Sequence, residues 1–148
     1  MSKKLSFKGT LDEGLVEKIK LSTLNGKRGY RITKFQTMIT TPGVGGDYEA
    51  VVKIYSTKQT SGSTTVDFTE GDLLAVDYTS GKDSPNYGID PSIIIFDNEV
   101  VNQDIFVTYG APTGTLQVNY YIELETVTLT DLQTTQLTLK NLRQLASR

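Results

Sequence analysis

The sequence predicts an all-β fold, a sandwich or jelly roll of about eight strands with a short C-terminal helix. Three observations lead there. Apolar and polar residues alternate with period two along much of the chain, as they do when one sheet face meets a core and the other meets solvent. Turn chemistry separates these runs at nearly even spacing: Asn25-Gly26, Pro42-Gly43-Val44-Gly45-Gly46, Ser61-Gly62-Ser63, Ser80-Gly81-Lys82-Asp83, Asn86-Tyr87-Gly88 and Ala111-Pro112-Thr113-Gly114. Threonine and β-branched residues are abundant, which favours pleated, half-buried surfaces over helices. The 148 residues read as a single domain with an N-terminal arm over 1–12 and a helical segment over 131–148.

Taken in order, the arm carries Lys3, Lys4 and Lys8. Leu15 to Leu21 alternates weakly. Gly29 to Ile39 alternates but changes phase near Lys34, which predicts a β-bulge or bend there. Tyr48 to Tyr55 is a regular strand, and Glu70 to Val76 reads as a short helix or a strand. Ile93 to Phe96 is apolar without alternation, as in a central strand covered on both faces. Asp104 to Tyr109 is short and aromatic. The clearest alternation runs from Leu116 to Glu125, with Leu116, Val118, Tyr120, Ile122 and Leu124 on one face. After Thr130 the period changes: Leu132, Leu139, Leu142 and Leu145 form a stripe on a helix from about Asp131 to Ala146, capped by Thr130 or Asp131. That stripe packs either on its own sandwich or on a neighbouring subunit.

Composition removes whole classes of chemistry. A domain of this length buries roughly 68–70% of its unfolded surface and needs no staple to fold. The chain has no Cys and no His, so it holds no disulfide framework, thiol nucleophile, Ser-His-Asp triad or histidine metal site. The basic N-terminus is followed by no apolar run, so no secretory signal is expected, and no stretch approaches the roughly 18 apolar residues of a membrane span. Net charge is −2 but uneven, +6 over residues 1–60 and −8 over residues 61–148. Such polarity either serves contact with an oppositely charged partner or disappears when the strands interleave.

The remaining candidates for chemistry are weak. Glu123 and Glu125 lie two apart on one strand face, about 7 Å from each other, within reach of glycosidase geometry but on the polar phase of an alternating strand. Asp97 to Asp104 is rich in oxygen donors without the spacing of a calcium loop. The glycine run 43–46 matches neither a dinucleotide nor a phosphate loop. Lys27, Arg28, Arg31 and Lys34 sit near Tyr30 and Phe35, but a pI near 5.1 opposes nucleic-acid binding. No catalytic, cofactor or metal residue is expected.

Several segments resemble small β-rich virion structural proteins of marine tailed bacteriophages, of the capsid decoration or minor head type. They are Gly29-Tyr30-Arg31-Ile32 with Lys34-Phe35-Gln36, Glu49 to Ile54, Phe96 to Asp104, Asn119 to Glu125, and Thr130-Asp131-Leu132. The resemblance implies a non-enzymatic component of the phage head, assembled in the host cytoplasm. Its implied partners are the major capsid protein and copies of itself, with a homotrimer as one arrangement, and neither nucleic acid nor membrane. Lys3, Lys4, Tyr30, Arg31, Tyr55, Tyr87, Tyr121, Leu139, Leu142 and Leu145 are the expected contact residues, because exposed aromatic and basic side chains dominate interface energetics. The loops 43–46 and 80–91 are expected to contribute. The alternative expectation is a glycan-binding sandwich, favoured by the tyrosine-rich strands.

Overall fold

The computed structural model describes residues 3–21, 26–41, 48–81, 92–96, 99–113 and 116–146. Eight strands precede one helix: β1 (Lys4–Leu11), β2 (Val16–Ile19), β3 (Arg28–Ile39), β4 (Tyr48–Tyr55), β5 (Leu73–Gly81), β6 (Ser92–Ile95), β7 (Ile105–Thr113), β8 (Val118–Thr128) and α1 (Asp131–Ala146). They form an all-β sandwich of two antiparallel sheets, a three-stranded sheet ordered β1-β8-β3 and a five-stranded sheet ordered β2-β7-β4-β5-β6.

The alternation read along β8 sets the core. Val118, Tyr120, Ile122 and Leu124 are buried, while the residues between them are half-exposed. They meet Phe35 of β3 and the inward residues Val52, Ile54, Ile105 and Val107 of the opposite sheet. Burying a side chain of this size stabilises the fold by about 1.5–3 kcal/mol. The phase change in β3 is a register shift between Ile32 and Lys34 against β8, which returns Phe35 to the core side.

Two expectations need correction. Residues 4–11 are not an arm: β1 pairs with β8 from Lys4↔Glu125 to Leu11↔Val118. Ile93 to Ile95 is not a central strand either. β6 ends the five-stranded sheet, and Ile93 and Ile94 are 47% and 37% exposed. The strands covered on both faces are β4 and the start of β5, where Val51 to Tyr55 and Leu73 to Val76 are all buried. Their outer face carries a second apolar cluster of Val51, Tyr55, Leu73 and Val76. The connection between β4 and β5 lies over it: Lys53, 1% exposed, donates from Nζ to the Thr65 carbonyl, and Phe68 meets Phe96 edge-on at 5.4 Å. A run without alternation therefore marks two covered faces in β5 and an uncovered edge in β6. The two runs look alike in sequence.

Folding brings part of the chain's uneven charge together. Lys18–Asp104, Lys27–Asp131 and Arg31–Glu125, at 3.3, 3.4 and 2.7 Å, each join a base from the first part of the chain to an acid from the second.

The same β4–β5 connection seats against β7 through glycine. Gly62 donates its N–H to the Gly14 carbonyl, and a Cβ at Gly62 would lie 1.9 Å from the Tyr109 carbonyl oxygen. Backbone cannot yield as a side-chain tip does. Gly62→Ala is therefore expected to cost about 1–3 kcal/mol. Thermal denaturation should show it as a Tm lowered by about 2–4 °C per kcal/mol.

Candidate functional site

In an eight-stranded antiparallel ribbon folded on itself, β3 would lie beside β6. Here β6 is hydrogen-bonded to β5, from Ala75↔Ile95 to Tyr78↔Ser92, and β3 ends its own sheet. Among the described residues the two sides are stitched beyond β6, where Tyr30 and Val101 exchange backbone hydrogen bonds of 2.7 and 2.9 Å. Towards the far end of β3 a groove of about 730 Å³ opens, bordered by Gln36, Thr37 and Met38 of β3, Asp77 and Thr79 of β5, and Ile93 of β6. It continues along Lys8, Thr10, Asn119 and Tyr121 of β1 and β8. That volume suits a drug-sized ligand.

Asp77 is the unusual residue. It interrupts the apolar start of β5, is 1% exposed, and is bound at one oxygen only: Thr37 donates its hydroxyl to Oδ2 at 2.6 Å. Oδ1 has no hydrogen-bond partner. Burial pushes the carboxyl above its ordinary value, and the hydrogen bonds from Thr37 oppose that rise. Around it, Thr10 donates its hydroxyl to Asn119 Oδ1 at 2.7 Å. Tyr121 donates to Glu123 Oε1 at 2.8 Å, and Lys34 Nζ stands 5.9 Å from the Tyr121 ring centre.

A second surface is the outer face of α1. The helix begins with a reciprocal cap in which Gln133 N donates to Thr130 Oγ1 and Thr130 N to Gln133 Oε1, so Thr130 is the capping residue. Its inward side is largely polar: Leu137, Lys140, Asn141 and Gln144 line a seam with Ser56, Leu74 and Val101, and Lys140 binds Glu99 at 2.7 Å. Apart from Leu137, the leucines of the helix face away. Leu132, Leu139, Leu142 and Leu145 are 68%, 45%, 58% and 48% exposed.

The expected contact residues are scattered over the molecule. Lys3 and Lys4 are exposed at the start of β1, Arg31 is tied to Glu125, and Tyr121 borders the groove. Tyr30 and Tyr55 are corrected to core residues, 5% and 3% exposed, because their strand phases point them inward or beneath the β4–β5 connection. Tyr87, the glycine run 43–46 and residues 82–91 lie outside the described residues. Leu139, Leu142 and Leu145 share the free face of α1. Glu125 pairs with Arg31, and Glu123 accepts from Tyr121 and faces Lys34 across the strands. Among the described residues no cluster of acids could hold a metal ion; Glu99 and Asp104 are tied to Lys140 and Lys18. The groove was missed in sequence, although Asp77 gave one signal: a lone acid following Leu73-Leu74-Ala75-Val76.

Comparison with protein-family models, with curated proteins and with solved structures finds no match to this chain.

The raised carboxyl has a definite pH signature. The folded chain holds the Asp77 proton more tightly than the unfolded chain, so the stabilisation is full below the ordinary carboxylate pKa and is lost as pH rises through the raised value. Asp77→Asn keeps the shape and removes the buried charge. Its Tm should exceed wild type at pH 7, by a stabilisation of about 1–3 kcal/mol. The gap should close as pH falls towards 3, which thermal melts of both proteins across pH will read.

Proposed function

We propose that this chain is a structural virion protein, a decoration (cement) or minor head protein that stabilises a phage shell through protein–protein interfaces. The observation that carries the reading is the outward leucine face of α1, four large apolar side chains that the chain's own sandwich leaves uncovered. Contiguous exposed apolar surface of this kind marks an interaction site. The exposed isoleucines of β6, at the open edge of a sheet, add a second such surface. Nothing in this role calls for turnover; its product is interface free energy.

The strand pairings favour the same reading. When an antiparallel ribbon of eight strands doubles back, its first strand meets its last, and so on inwards; β1 with β8, β2 with β7 and β4 with β5 follow that rule. The result is a jelly roll whose β6 has moved from β3 to β5. Jelly rolls serve capsids, but they serve lectins too, so the winding supports the class and the leucine face supports the role. The partners are the major capsid protein and further copies of this chain, and the location is the phage head. Contacts of the standard size bury about 1,600 Å² in total, and repetition over a symmetric shell multiplies weak ones.

Mass spectrometry of purified virions tests the location: the chain should be recovered with the head, and its absence overturns the proposal. Leu139→Glu with Leu142→Glu tests the surface. Both positions are exposed, so stability should move by less than about 0.5 kcal/mol. Recovery with shells should fall at least about tenfold, as expected when an interface loses its central apolar anchors.

A further inference from the structure

We propose that the groove where β3 parts from β6 binds a short neutral saccharide, a function separate from shell assembly and located on other residues. Three properties of the groove point to this ligand chemistry.

The groove holds hydrogen-bonding capacity in reserve. Asp77 Oδ1 is a buried acceptor without a partner, and a buried group left so is costly unless something occupies the site. Asn119 uses its carbonyl oxygen for Thr10, which leaves its amide N–H groups to donate, while the side chains of Gln36 and Thr79 make no hydrogen bond among the described residues. Acceptors, donors and hydroxyls thus converge, as they must for a ligand whose every polar group is a hydroxyl or an acetamide.

The rest of the groove is mainly apolar and exposed. Met38, 62% exposed, and Ile93 stand at the β3 and β6 sides, and the Tyr121 ring borders the outer part. A pyranose offers both kinds of surface, hydroxyls at its rim and C–H groups on its face. A hydrocarbon would leave Asp77 unsatisfied.

Charge selects against ionic ligands. Among the described residues, Lys8 and Asp77 are the charged residues bordering the groove, one of each sign, so an anion meets a carboxylate and a cation meets an ammonium. A single carboxylate also falls short of the ligand set a hard cation needs. A neutral ligand meets neither penalty.

The test is an NMR titration of the full-length, isotope-labelled protein with neutral di- and trisaccharides (maltotriose, cellotriose and N,N′-diacetylchitobiose) and, in a separate arm, with an extended alternating apolar peptide. At least one saccharide should shift the amide signals of Gln36, Thr79 and Asn119 at millimolar concentration and leave the α1 signals in place. Asn119→Ala and Asp77→Asn should each weaken that saccharide's binding at least about tenfold. Leu142→Glu should not alter it, which separates this site from the assembly surface. Each variant is first shown by its thermal melt to be folded; if Asn119→Ala is not, Gln36→Ala replaces it. The proposal is overturned if no saccharide shifts the groove, if the shifts fall elsewhere, if the variants bind as wild type, or if only the peptide occupies the groove by adding a strand to β3 or β6.

Discussion

Strand β6 has two neighbours available and hydrogen-bonds to only one. Held to β5, it leaves the outer edge of β3 without a strand partner among the described residues beyond the Tyr30–Val101 bridge. Much of what distinguishes this sandwich follows from that choice. The groove exists because the sheets part there, and Thr37, paired to β8 on the other side of β3, turns its hydroxyl to the buried Asp77. The isoleucines of β6 stay exposed because no third strand covers them. A full β3–β6 ladder would close the gap, cover the isoleucines and enclose Asp77 without a way in.

The fold was legible where a single physical rule governs the sequence. In β8 one face is buried and one is wet, so Val118, Tyr120, Ile122 and Leu124 announced themselves by alternation. The phase slip at Lys34 announced a bulge for the same reason. Ile93 to Ile95 was misread because a continuous apolar run reports only that no face has been made polar; it does not say whether two faces are covered or a partner is awaited. Tyr30 and Tyr55 were misread because tyrosine is at home in cores and at interfaces alike. Apart from Asp77, a lone acid in an apolar run, the groove left no mark in the sequence, since its residues come from five strands and converge only through pairing.

Helix α1 inverts the usual arrangement. Amphipathic helices on globular domains turn their apolar stripe inward. Here the inward side offers Lys140, Asn141 and Gln144, and the leucines are left outside. Such an arrangement is unfavourable for an isolated molecule and sensible for one whose helix has a second surface to meet. It also explains why the leucine spacing predicted the helix while leaving open the side on which it packs.

The polar seating of α1 makes it responsive to salt. Its tethers include the Lys140–Glu99 and Lys27–Asp131 ion pairs, both partly open to water and weakened by salt, beside the long neutral Ser56–Gln144 contact. The helix follows β8 directly and is stiffened from within by its Thr130–Gln133 cap, which involves neither ion pair. Rising ionic strength therefore loosens the seat of the helix before it loosens the helix itself.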